Sequence, residues 1–201
     1  MTAIWTTVGI DLVATALQSA GVDAAIHYVA LSTGCGTLGG SLTVGTVYTS
    51  LPLTATLPAN LAGGLSLLIT DGTNSQTVVT NGAASAGASS IAVVAFAAVA
   101  SFASGVTGVA PIPQSTDIAL YNESVRVAIL ASGAGAAAGE SLISGYCDGT
   151  QPSGVYMLVG YFGGASATAS IGTGTLLIAD NQYWNHTVNT DSNMYQADAT
   201  V

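Results

Sequence analysis

Apolar and polar positions alternate most clearly around residues 157–179. Met157, Val159 and Tyr161 interleave with Leu158, Gly160 and Phe162. Residues 163–174 then hold only Gly, Ala, Ser, Thr and one Ile, and residues 175–179 (TLLIA) resume an apolar run. Period-two runs bounded by glycine-rich turns predict the two strands of a hairpin. A helix is predicted over residues 10–19, where Ile10, Val13 and Leu17 recur at helical spacing with Leu12 and Ala16 beside them. Asp11 then falls in the first turn, and Gly21 suits the position just past the helix end. Residues 25–32 alternate Ile26, Tyr28 and Ala30 with His27, Val29 and Leu31, the pattern of a strand, and lead into a glycine-rich turn over 33–40.

The pattern changes character over residues 41–113. Short segments at 42–48, 65–70, 76–80 and 90–95 are punctuated by Pro52, Pro58, Asp71-Gly72, Asn81-Gly82 and Gly87. Asp-Gly and Asn-Gly between apolar runs are hairpin turns, so this region reads as a small all-β module. Residues 110–113 (APIP) close it. Strands resume at 117–122, 124–131 and 140–147, continue through the 157–179 hairpin, and end with a segment at 194–201. The predicted architecture is mainly β: a β-sandwich built from residues 1–40 plus 114–201, with one N-terminal helix and a small all-β domain inserted at 41–113.

Charge narrows the function. Of 201 residues, half are apolar and 5% are charged, against roughly 25% in ordinary soluble domains. Arg126 is the one Lys or Arg, against ten Asp and Glu. Phosphate backbones and anionic lipids are held by Lys and Arg, so neither nucleic acid nor a membrane surface is an expected partner. The most apolar stretch, 91–103, is too short and too rich in Ala and Ser for a membrane span; it reads as a buried strand followed by a loop. Residues 1–8 lack the charged and apolar regions of a secretion signal. With one cation, salt bridges cannot hold the fold, and apolar burial and backbone hydrogen bonds carry it.

Candidate chemistry is sparse. Cys35 and Cys147 both lie at glycine-rich strand ends, and are read either as a disulfide or as two free thiols. No spacing of His27, His186, Asp180 and Asp191 matches a structural zinc site, so no metal or cofactor is expected. No nucleophile elbow with a His partner is present, and no carboxylate pair stands out for sugar hydrolysis. Tyr183, Trp184 and His186 form the densest aromatic cluster, and Trp5 precedes the helix. These four are candidates for interface or ligand contact, since aromatics on a β-loop stack on sugars or anchor partners. The alternative is a sandwich edge covered by rings.

Two segments resemble a known family. The helix followed by residues 22–34 (VDAAIHYVALSTG), and the pair 159–164 (VGYFGG) and 172–177 (GTGTLL), are similar to the opening and closing segments of a tailed-bacteriophage virion family described as tail-fibre, baseplate or general structural proteins. Residues 41–113 resemble small β-modules of other phage virion proteins, capsid-associated ones included. The family's last strands carry Lys and Arg, whereas residues 194–201 have none. The resemblance implies a non-enzymatic structural component of the virion, assembled in the host cytoplasm and exposed on the particle exterior. It implies a homo-oligomer, with a trimer expected, alongside other virion proteins. A capsid-decoration or head-fibre protein, and an adhesin that binds host surface glycans, are the alternatives.

Overall fold

The computed structural model describes residues 4–18, 22–23, 25–134, 140–146, 151–186 and 194–200. In chain order the elements are β1 (Ile4–Trp5), α1 (Thr7–Gln18), β2 (Ile26–Ser32), β3 (Gly36–Thr37), β4 (Val47–Pro52), β5 (Ser66–Thr70), β6 (Ser75–Val79), β7 (Ser90–Ala97), β8 (Gly108–Pro111), β9 (Glu123–Ala134), β10 (Glu140–Tyr146), β11 (Gly154–Gly163), β12 (Thr175–His186) and β13 (Met194–Thr200). With 48% strand and 6% helix, the chain is mainly β. Among the described residues, no helix is long and apolar enough to cross a membrane.

The first and last thirds of the chain make one seven-stranded antiparallel sheet, in the order β1-β12-β11-β2-β9-β10-β13. The hairpin β11–β12 holds the second and third places, beside the central strand β2, with Gly160 opposite both Ala179 and Ala30. Both faces of β11 are covered. Tyr156, Val159 and Tyr161 pack with Val29, Leu31 and Leu177 on the face that receives Trp5 and Leu12. Leu158 and Phe162 pack with Ala30, Leu176, Leu68 and Ala110 on the face turned to the inserted module. A strand buried on both faces needs apolar residues throughout, which explains the near-unbroken run over 155–162. The insert thus supplies a second β layer over the sheet.

Helix α1 begins earlier than the periodicity predicts, because Thr6 caps it. The Thr6 hydroxyl oxygen accepts from the Gly9 N–H at 3.0 Å, while the Thr6 N–H donates to the Leu177 carbonyl at 2.8 Å. This start moves Asp11 beyond the first turn, which holds no acidic residue. It also rotates the buried face to Gly9, Leu12, Val13 and Ala16, leaving Ile10 53% exposed. The helix approaches so closely that a Cβ on Gly9 would sit 2.5 Å from the Leu177 carbonyl oxygen. Gly21 lies outside the described residues.

The inserted module is a closed barrel. The sheet β3-β8-β5-β6 and the ribbon β4-β7 are joined by two bridges, Thr80 to Val93 and Leu38 to Leu53. The circuit therefore runs β3-β8-β5-β6-β7-β4 and back to β3, with no free edge among these strands. Leu38, Leu42, Leu51, Leu57, Leu61, Leu67, Ile69, Ile91 and Phe102 fill its interior, each at most 2% exposed. The barrel takes its first strand from Gly36–Thr37, ahead of residue 41.

The barrel has an internal symmetry. An apolar residue followed three positions later by a positive-φ glycine recurs at Leu42/Gly45, Leu61/Gly64, Ala84/Gly87 and Phe102/Gly105, with φ of 79, 77, 88 and 80°. Leu42 bridges Phe102, and Leu61 bridges Ala84. Each glycine N–H then donates to the carbonyl four residues before its partner's bridging residue: Gly45 to Ala98, Gly105 to Leu38, Gly64 to Thr80 and Gly87 to Leu57, at 2.8–3.1 Å. Only glycine reaches that backbone conformation cheaply.

Three further expectations change. The segment expected over 42–48 is displaced: Leu42 makes a single bridge, residues 44–45 turn, and β4 runs Val47–Pro52 through a proline read as a break, because the Gly45 turn takes up the start of the segment. Residues 117–122 form turns rather than a strand, with Asn122 at φ 48° and Leu120 buried. In the 91–103 stretch, β7 is half-buried: Ile91 and Val93 point inward while Val94 is 53% exposed.

Candidate functional site

The aromatic candidates do not form one exposed loop. Strand β12 continues through His186, so Tyr183 and Trp184 are consecutive strand residues on opposite faces. Tyr183 faces the barrel. Its hydroxyl donates to the Val106 carbonyl at 2.9 Å, and its ring covers Gly72, where a Cβ would lie 2.7 Å from Cδ1. Burial, and then the Asp71 carboxylate, raise its hydroxyl pKa. Tyr183 is a bolt between barrel and sheet. Trp184 packs on the opposite face, stacked on Tyr156 at 5.4 Å and against the His186 ring at 4.5 Å. His186 is 1% exposed, with Nε2 3.1 Å from the Gln151 carbonyl oxygen. Trp5 lies in β1 opposite Ile178 and is half-buried on that same face.

Cys35 is a free thiol, 1% exposed in the barrel core. Burial pushes its pKa up to about 12, partly offset by the Tyr121 side chain beside it. Tyr121 in turn donates its hydroxyl to the Ala59 carbonyl at 2.8 Å, with its own pKa raised by burial and by Cys35. Cys147, the other member of the pair read either as a disulfide or as two free thiols, lies outside the described residues.

The one permanent cation is internal. Arg126 on β9 forks onto Glu123. It donates through Nη1 to the Thr173 carbonyl at 2.5 Å and to the Thr173 hydroxyl at 3.2 Å, and it lies over the Phe162 ring at 3.9 Å. The Gly172 N–H reaches Glu123 Oε2 at 3.3 Å. Arg126 and Glu123 therefore lash the 164–174 loop onto the sheet. The sequence singled out Arg126 by its uniqueness; no local signal tied it to a loop far along the chain.

A cleft of about 340 Å³ opens between barrel and sheet. Asn60 borders it from the barrel, Leu158 and Ala179 from the sheet, and Gln114, Asp117 and Tyr121 from the connection between them. Its one carboxylate, Asp117, accepts from the Gln114 N–H at 2.8 Å. Among the described residues, no His, Cys or Ser lines it. The cleft can shelter an apolar group, but its lining holds no acid–base pair and no nucleophile.

Metal ligation fares no better. His27 Nε2 lies 2.7 Å from Asp23 Oδ2 at the surface, a contact that lowers the Asp23 pKa, and His186, opposite Gly154, lies at the other end of β11 from His27, whose neighbour Ile26 is opposite Gly163. Asp191 lies outside the described residues. Among the described residues, no group of three or more His, Cys, Asp and Glu is placed to hold a metal ion. No protein-family model, curated protein or solved structure matches this chain.

Proposed function

We propose that this chain is a non-enzymatic structural protein of a tailed-bacteriophage virion, self-associating and displayed on the particle exterior. The observation that carries the reading is the distribution of charge and apolar surface. Arg126 is consumed in holding a loop, and the barrel over residues 36–111 contains Asp71 as its one charged residue. The same barrel exposes Val44, Val47, Val94 and Val99. Surfaces without charge and with exposed aliphatics suit burial between subunits. The resemblance of residues 22–34, 159–164 and 172–177 to tail-fibre and baseplate-type proteins supports the tail, and the resemblance of the insert to capsid-associated modules supports a decoration or head-fibre role as the second reading.

The adhesin reading draws less support, because His186 is buried and the Trp184 ring is engaged by Tyr156 and His186. A sugar stacks only on an aromatic face left free for it. Quantitative mass spectrometry of purified particles tests the proposal. Tens of copies per particle are expected for a tail protein and hundreds for a decoration protein; absence from the particle sinks both. A glycan array on the purified chain is expected to stay silent.

A further inference from the structure

We infer that the outward face of the β4–β7 ribbon is the surface on which a second copy of this chain docks. This deepens the self-associating reading above and rests on it. In the barrel circuit, β4 and β7 lie across from β8 and β5, the strands that contribute Ala110 and Leu68 to the packing against the seven-stranded sheet. The ribbon is thus the side of the barrel turned away from the rest of the molecule.

Its outer face is uncharged, with Thr49, Ser50 and Ser90 among the exposed positions, and the end that carries Val47 and the flanking Val44 and Val99 is apolar and held stiff. Val44, Val47 and Val99 are 57%, 64% and 65% exposed. Val47 pairs across the ribbon with the exposed Ala97. The Val44 turn is tied to the same place by Gly45 N–H to the Ala98 carbonyl at 2.8 Å, and by Ala98 N–H to the Thr46 carbonyl at 3.0 Å. The three valines therefore share one end of the ribbon. The Gln76 amide staples that end from β6, donating to the Ala97 carbonyl at 2.9 Å and accepting from the Val99 N–H at 3.0 Å. A surface already rigid loses little freedom on docking.

Charge selects the occupant. The chain carries a net −9, and nine of its ten carboxylates lie outside residues 36–111. The exception, Asp71, acts on Tyr183 at the junction with the sheet. Two copies that met through their sheets would bring carboxylates together with no free Lys or Arg to offset them. Two copies that meet ribbon to ribbon bring none together, and apolar burial drives the contact. A cationic partner would be drawn to the carboxylate-rich part instead. The same uncharged patch on each copy is what a self-complementary contact requires.

The test is sedimentation of the whole chain across a concentration series at neutral pH and about 0.15 M salt. Reversible self-association is expected, strengthened at about 1 M salt, where the residual repulsion is screened. Val47→Asp and Val99→Asp are each expected to weaken it at least about tenfold, by burying an unpaired carboxylate. Val47→Ser, which adds no charge, is expected to weaken it less, and Ile10→Asp, on the exposed side of α1, not at all. Thermal melts confirm that each variant is folded. Association untouched by the ribbon variants, or weakened equally by Ile10→Asp, overturns this surface while leaving self-association standing. A wild-type chain that stays monomeric overturns the inference outright. If such a monomer is still counted on particles and Val47→Asp removes it, the ribbon docks another virion component and the virion reading survives alone.

Discussion

Arg126 and Glu123 form a forked ion pair, Nε to Oε1 at 2.5 Å and Nη2 to Oε2 at 2.8 Å, with side chains 0% and 6% exposed. Two parallel charge-assisted bonds fix the guanidinium plane, which then reaches the Thr173 carbonyl. The contact joins β9 to the loop that follows β11, with Thr173 47 positions along the chain from Arg126. Removing one partner of a buried pair strands the other charge, at about 3–5 kcal/mol, while replacing both by apolar residues is often neutral. Arg126→Ala and Glu123→Gln are therefore each expected to lower the urea-unfolding free energy by roughly that amount. Arg126→Met combined with Glu123→Leu should recover most of it. A single-variant loss below about 1 kcal/mol, as at a solvated pair, would contradict the buried latch.

The same burial governs proteolysis. Arg126 is the one Lys or Arg of the chain, so trypsin has one site, and it lies within β9 with its side chain fully covered. The native chain is expected to survive hours of trypsin, and the urea-unfolded chain to be cut once. Cleavage of the native protein at the unfolded rate would mean that β9 opens readily.

Gly9 sets the distance between α1 and the sheet. Gly9→Ala would place a methyl 2.5 Å from the Leu177 carbonyl oxygen, and backbone cannot swing aside as a side chain can. A loss of about 1–3 kcal/mol is expected, typical of overpacking. Ile10→Ala, one residue on and 53% exposed, should stay within about 0.5 kcal/mol of wild type. The two urea midpoints compare the observed helix face directly with the one that periodicity favours.

The four symmetric turns of the barrel make a graded prediction. Alanine at Gly45, Gly64, Gly87 or Gly105 is forced to positive φ with open space around it, so strain is the whole effect, about 1–2 kcal/mol each. The four losses should be alike and close to additive. An outlier would show that one turn is not equivalent to the others.

Asp180 predicts a pH dependence. Its half-buried carboxyl has a raised pKa, chiefly from desolvation, so the folded state holds this proton more tightly than the unfolded chain. Ionised Asp180 therefore opposes folding above the raised pKa, and the penalty fades as pH falls towards the unfolded value near 3.9. Asp180→Asn is expected to raise the urea midpoint at pH 7 and to lose that advantage by about pH 3. A benefit that persists in acid would place its cause elsewhere.

Much of the strand pattern was legible. The 157–179 hairpin, the 25–32 strand and the insert segments at 65–70, 76–80 and 90–95 stand close to where the alternation put them, because alternation and glycine turns are local signals, whereas the 42–48 segment gave way to a strand at Val47–Pro52. The barrel's symmetry was also written there, as apolar-x-x-Gly at 42–45, 61–64, 84–87 and 102–105, a spacing too short and too degenerate to stand out from so much Gly and Ala. The candidate site was less legible. The cluster at 183–186 looked continuous, but strand geometry sent Tyr183 to the barrel and Trp184 to the far face.

By itself the sequence determined that this is a mainly β chain with one N-terminal helix, an insert almost free of charge and a single cation, because composition and periodic patterning need no knowledge of distant contacts. Only the tertiary structure decided that the insert closes into a barrel, that Thr6 rather than the apolar spacing sets the helix face, and that Arg126 latches a loop. Each of those depends on a partner far along the chain: Thr80 with Val93, Thr6 with Leu177, Arg126 with Thr173. Which distant backbone groups meet is settled by burial and by satisfaction of their hydrogen bonds together, and neither can be counted until the chain is folded.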